Sequence, residues 1–145
     1  MKRTWLLAAM LAPTLSAHAY CIHNEIQGRD VRVVRDITKG SLLDTVLKPG
    51  EKYCCSSKDL DCNPEGKITA TVGVDITIAG DPAFRCGILD RSGTSVNLTG
   101  GGTARVVNNP RKASAIPYVV RVRTQDRDVS GPSGLACQEY KPKGK

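Results

Sequence analysis

Aromatic side chains make up only 4% of this chain, and past its first residues there is no tryptophan and a single phenylalanine, Phe84. That scarcity argues against a single-stranded nucleic-acid binder, which interleaves basic charge with rings on which bases stack. It also weakens any carbohydrate cleft built on ring stacking. Histidine is equally rare: beyond His18 there is His23 and no other. A two-histidine acid/base pair is therefore excluded, and a Ser-His-Asp triad would have to be assembled around His23, with no nucleophile motif beside it. No Cys-x-x-Cys pair occurs, which removes the usual ligand spacing for structural zinc. No apolar run approaches the roughly 18 residues of a membrane-spanning helix. The longest, Trp5 to Ala12, stands at the amino terminus.

That run is preceded by a basic pair, Lys2 and Arg3, and followed by Pro13 and small residues ending in Ala17-His18-Ala19. A charged, then apolar, then small-residue order is that of a secretory signal peptide, with cleavage after Ala19. Tyr20 stands where a lipoprotein would need a cysteine, and Cys21 comes only after it. The expected organisation is a signal peptide at 1–19, one domain at 20–140 and a basic, disordered tail at 141–145. A domain of that size can bury its own core. The formal net charge of +7 falls by two when Lys2 and Arg3 are removed, and Lys141, Lys143 and Lys145 carry three of the remainder, so the folded body is nearly balanced.

All six cysteines, Cys21, Cys54, Cys55, Cys62, Cys86 and Cys137, lie after the cleavage point. An even number in an exported chain predicts three disulfides, and with them a secreted or periplasmic location. Fifteen pairings are possible. Cys54 and Cys55 are not expected to join each other, because the small ring strains the peptide between them and on a strand they point to opposite faces. The preferred pattern closes one of the two onto Cys62, sends the other to Cys86, and ties the chain ends through Cys21 and Cys137. Each bridge is expected to contribute about 2 to 4 kcal/mol.

The strongest local pattern runs from Lys67 to Gly80, where Ile68, Ala70, Val72, Val74, Ile76 and Ile78 alternate with Thr69, Thr71, Gly73, Asp75 and Thr77. A period of two over that length predicts a long strand with one buried face. Shorter runs of the same kind occur at 30–36, 84–89, 94–98, 103–107 and 118–123. Pro49-Gly50, Asp81-Pro82 and Asn108-Asn109-Pro110 punctuate them as turns. Residues 41–47 fit either a short helix capped by Ser41 or a strand, and seven residues favour the strand. The fold class expected is all-β, an antiparallel sandwich or barrel-like domain braced by disulfides.

Four segments invite a functional reading. Asp59, Asp61, Asn63 and Glu65 place oxygens at alternate positions, as a calcium loop does, but the glycine comes late, at Gly66, and Ala70 stands where a bidentate acid should close the loop. A polar turn fastened at Cys62 explains the same residues, and calcium is the only cofactor the sequence suggests. Gly100-Gly101-Gly102 lacks the following helix that phosphate binding needs and reads as a hairpin turn between residues 94–98 and 103–107. Arg105, Arg111, Lys112, Arg121 and Arg123 are a candidate basic patch, with Arg121 and Arg123 on one strand face. A solvated outer sheet face accounts for them without nucleic acid. Asn97-Leu98-Thr99 matches the N-glycosylation pattern.

These features point to an exported, non-enzymatic binding or interaction module whose partner is a protein or cell-surface ligand. The expected contact surface is the Asp59–Gly66 loop with Gly100–Gly102. One alternative is a secreted effector acting at anionic membranes through its basic residues and lysine tail. Another is a small exported hydrolase using His23 or a pair of carboxylates, with Cys21 as a nucleophile only if it is not oxidised.

Overall fold

The computed structural model describes residues 18–35, 43–90, 93–124 and 127–141. Most of the segment expected to be a signal peptide, Asp36 at the end of the 30–36 run, Ser41 and Leu42, and the expected tail beyond Lys141 lie outside the described residues. The described residues are strand, turn and loop throughout: β1 His18–Asn24, β2 Val31–Arg35, β3 Asp44–Leu47, β4 Lys52–Ser56, β5 Thr71–Ile78, β6 Ala83–Cys86, β7 Ile88–Asp90, β8 Gly93–Thr99, β9 Gly102–Asn108, β10 Tyr118–Thr124, β11 Arg127–Asp128 and β12 Leu135–Tyr140. No helix among them is long and apolar enough to cross a membrane.

The strands form one curled, barrel-like sheet in the order β3-β2-β5-β6-β12-β10-β9-β1-β4, with β8 on the first half of β5, β7 on β8 and β11 on β10. Every pairing is antiparallel except β1 with β9, which run parallel. The chain from 25 to 101 separates those two strands, so no hairpin fixes their direction.

β5 shows why the alternating pattern was informative. Val72, Val74, Ile76 and Ile78 are all buried, and β-branched side chains suit a pleated surface covered on one face. The strand is shorter than expected at its start. The Ala70 amide donates back to the Lys67 carbonyl at 3.1 Å, which closes a turn and leaves Ile68 45% exposed. The segment 84–89 is also divided, into β6 and β7. Gly87 makes the break: its φ is +120°, and a Cβ there would stand 2.2 Å from the Ser95 carbonyl oxygen. Leu47 confirms strand over helix for the part of 41–47 that is described.

The turn at Gly100–Gly102 does not join a ladder pair. β8 pairs with β5 and β7, and β9 pairs with β1 and β10, so the glycines form a corner where the chain crosses the barrel. Val96 and Leu98 on one side and Ala104 and Val106 on the other are all buried because both strands face the core, which produces the alternation of a hairpin without its hydrogen bonds.

The three disulfides are Cys21–Cys54, Cys55–Cys62 and Cys86–Cys137. The expected short loop to Cys62 is present. The expected bridges from Cys54 or Cys55 to Cys86, and from Cys21 to Cys137, are not. Register decides this: Cys21 lies directly opposite Cys54 in the β1–β4 ladder, and Cys137 directly opposite Cys86 in the β12–β6 ladder. Their Cα atoms are 4.1 and 3.9 Å apart, close enough for a bridge without moving either backbone.

The two terminal strands of the sheet, β3 and β4, are consecutive in the chain and joined by residues 48–51. A single buried side chain fixes that joint. Asn24 Nδ2 donates to the carbonyls of Leu47 and Arg29, both at 2.9 Å, and its Oδ1 accepts the Ile26 amide at 3.0 Å. Its backbone adds Asn24 N to Glu51 O and Gly50 N to Asn24 O. Asn24→Ala would leave two carbonyls and one amide without their partner inside the protein. It is expected to lower unfolding free energy by about 3 kcal/mol in urea titration, with Asn24→Asp at least as damaging because a carboxylate would face two carbonyls. A loss below about 1 kcal/mol would show that the joint is held by something else.

Candidate functional surfaces

At the barrel end opposite Asn24, Tyr20 connects the two segments expected to form a contact surface. In β1 it stands in register with Gly102 on β9 and Cys55 on β4. It is buried, and its hydroxyl donates to the Cys62 carbonyl at 3.0 Å. Burial above all, and then nearby Tyr53, push the phenol pKa well above its ordinary value, against the opposing pull of Arg35, so Tyr20 is a neutral donor.

The loop above it is braced from within. Asn63 is fully buried, and its Nδ2 donates to the carbonyls of Ser57 and Lys67 at 2.9 and 3.0 Å. Asp59 Oδ1 accepts the Asp61 amide, and the Asp59 carbonyl accepts the Asn63 amide. The Cys55–Cys62 bridge fastens the same loop to β4. Beside it, Gly100 packs so closely on the Ile68 backbone that a Cβ would stand 1.8 Å from the carbonyl oxygen. The Asp59–Gly66 loop and Gly100–Gly102 therefore belong to one surface. Leu60, 62% exposed, and Ile68 stand on it, with Asp59, Asp61 and Glu65 exposed around them.

Of the oxygen-bearing residues read as a calcium loop, Asp59, Asp61 and Glu65 are at the surface and Asn63 is inside. The Asn63 amide and Asp59 Oδ1 are engaged in holding the loop's own backbone. Among the described residues no group of three or more His, Cys, Asp or Glu side chains is placed to hold a metal ion.

The outer face of β4, β1, β9 and β10 carries the basic residues. Register sets Lys52, His23, Arg105 and Arg121 in a line across the four strands. Two of the four are held by carboxylates: Arg105 makes a two-pronged pair with Glu25 at 2.8 and 2.7 Å, and Arg121 reaches Asp128 at 3.5 Å. Arg123 lies opposite Thr103 and Asp128. Arg111 and Lys112 sit apart from this line, in the exposed β9–β10 loop, where the Arg111 amide donates to Asn109 Oδ1. Cys21 and Cys54 face the same way as His23 and Lys52, and Cys21 is oxidised, so it is no free thiol beside that histidine.

A third feature was not anticipated. A cleft of about 210 Å³ is lined by Arg85, Gly87, Leu89, Thr94, Gln138, Glu139 and Tyr140. The Arg85 guanidinium lies over the Tyr140 ring at 4.6 Å. The position of Arg85 between the buried Phe84 and Cys86 signals that it points outward, but nothing local predicts that β12 lies alongside.

His23 offers a pH test of the outer face. Partial burial is the first cause of its lowered pKa; Lys52 and Arg105 lower it further, and Glu25 opposes them. Because the folded protein binds that proton less readily than the unfolded chain, stability is fully present above about pH 6.5 and falls as pH drops below it. Glu25, Asp44 and Asp128 have lowered pKa values and titrate in a more acidic range, below 4.5. The urea midpoint is therefore expected to fall between pH 8 and pH 5.5 in the wild type and to fall less in His23→Gln. Equal falls would assign the effect elsewhere. No protein family, curated protein or solved structure matches this chain.

Proposed function

We propose that this chain is an exported, non-enzymatic binding module that recognises a protein partner through the surface formed by the Asp59–Gly66 loop, Ile68 and Gly100–Gly102. The observation that carries this reading is the exposure of Leu60 and Ile68 on a base braced by a disulfide and buried hydrogen bonds. A preorganised loop loses little freedom on binding, so two exposed apolar side chains can contribute to affinity there. Asp59, Asp61 and Glu65 around them fit a partner with an apolar socket and a basic rim. Export is supported by the signal-like order of residues 1–19 and by three bridges that need an oxidising compartment.

A membrane-active effector would use the basic residues, but Arg105 and Arg121 are occupied by Glu25 and Asp128, which reduces the charge this face presents. Photo-crosslinkers placed at positions 60 and 68 in the producing cells are expected to give a discrete protein adduct that a crosslinker at position 111 does not. Leu60→Asp should leave the urea stability within about 0.5 kcal/mol and weaken that association roughly tenfold or more. Adducts of equal yield from position 111, or none from 60 and 68, would refute the assignment of the surface.

A further inference from the structure

We propose that Cys21–Cys54 is an exchangeable disulfide, a modification site for small thiols that carry negative charge, while the other two bridges are closed to them. Access is the first argument. Cys21 alternates with the buried Tyr20 and Ile22, and Cys54 precedes the buried Cys55, so the bridge lies on the outer face of its ladder and is partly exposed. Cys55, Cys62, Cys86 and Cys137 are all 0% exposed. A thiolate must approach the sulfur it attacks, and four of the six sulfurs sit on residues that solvent does not reach.

The second argument is that this bridge can open without dissolving the fold. Cys21 and Cys54 are flanked in the same ladder by Tyr20 with Cys55, Ile22 with Tyr53 and His23 with Lys52, and β1 is paired on its other side with β9. The backbone hydrogen bonds keep the two thiols opposite each other after reduction. Reclosure is then a local event and needs no search through unfolded states.

Charge is the third argument. Lys52 is two residues from Cys54 on the same face, His23 two residues from Cys21, and Arg105 beside His23 on the neighbouring strand, with Arg123 beyond Thr103. Among the described residues, the carboxylates facing this area are Glu25, held by Arg105, and Asp128, near Arg121 and Arg123. The three cations Lys52, Arg105 and Arg121 face the two anions Glu25 and Asp128 among the described residues, and Lys52 stands nearest the bridge, so the area beside Cys54 remains positive. Positive charge attracts an anionic thiol and stabilises the thiolate that leaves.

In the reaction an external thiolate attacks one sulfur of the bridge. The Sγ–Sγ bond breaks, a mixed disulfide forms, and the electron pair leaves on the second cysteine as a thiolate, which takes a proton from water. A second external thiolate attacks the mixed disulfide and releases the oxidised small-molecule disulfide. Two external thiols have then been oxidised and Cys21 and Cys54 reduced by two electrons.

The test uses the purified, oxidised, folded protein with glutathione, which is anionic, and cysteamine, which is cationic, at equal thiolate concentration. Reactions are quenched with an alkylating agent and mapped by peptide mass. Label or glutathione adduct is expected on Cys21 and Cys54 before any other cysteine, with the far-UV spectrum retained. Glutathione is expected to react several-fold faster than cysteamine after correction for thiol pKa, and 0.5 M salt or Lys52→Glu should shrink that ratio. Labelling of Cys86, Cys137, Cys55 or Cys62 at the same rate would overturn the assignment of access. A ratio near one that neither salt nor Lys52→Glu changes would overturn the role of charge. Cys21→Ser with Cys54→Ser must abolish the early adduct, and an early adduct that persists in it also overturns the proposal.

Discussion

The barrel closes through Asn24. Its first and last strands, β3 and β4, are not paired with each other, so the sheet's own hydrogen bonds do not seal the seam. What seals it is a primary amide that donates to two carbonyls and accepts one amide while its backbone binds the connecting turn on both sides. A carboxylate has no donor, a hydroxyl has one, and an apolar side chain has neither, so among side chains of this size an amide is needed to satisfy all three groups at once. Around it, Lys48 N donates to Glu51 Oε2 and the Lys48 ammonium pairs with Asp30 at 2.6 Å, which fixes the turn to the start of β2.

With the seam set, the disulfides take their places from the register. Cys54 and Cys55 are adjacent in β4 and point to opposite faces, one outward to Cys21 and one inward to Cys62. One pair of residues thus ties a terminal strand to its neighbour and anchors the loop that covers the barrel end. Cys86–Cys137 joins β6 to β12 in the middle of the sheet, across 51 residues of sequence. The core it braces is built of Val, Ile and Leu with few rings, so each buried side chain contributes a modest area, and bridges that restrict the unfolded chain add what the core does not.

What the sequence made legible depended on distance along the chain. The alternation in β5, the Pro49-Gly50 turn and the opposite orientation of Cys54 and Cys55 are local consequences of strand geometry, and each was readable. β12 was not, because Leu135-Ala136-Cys137-Gln138-Glu139-Tyr140 does not alternate cleanly in burial. β1 and β4 were obscured by the signal-like segment and by the paired cysteines. The disulfide partners depend on which strands become neighbours, and that is set by contacts across tens of residues. The candidate surface was half legible for the same reason. Its two loops carry turn residues that mark them in sequence, whereas their union depends on Tyr20 reaching the Cys62 carbonyl and on Gly100 admitting the Ile68 backbone.

The two ends of the barrel also differ in how completely their polar groups are satisfied. At the seam, Asn24 is fully buried and its side-chain oxygen and nitrogen are both bonded. Near Tyr20, Arg35 Nη1 and Asn63 Oδ1 are buried without a hydrogen-bond partner among the described residues. Among the described residues the side-chain polar complement is therefore complete at the seam and incomplete at the loop-bearing end. The Cys55–Cys62 bridge spans that region and limits how far the loop can separate from β4. A covalent tether at the end with the weaker polar complement, and a hydrogen-bonded amide at the end that defines closure, divide the work of holding the sheet in its curled form.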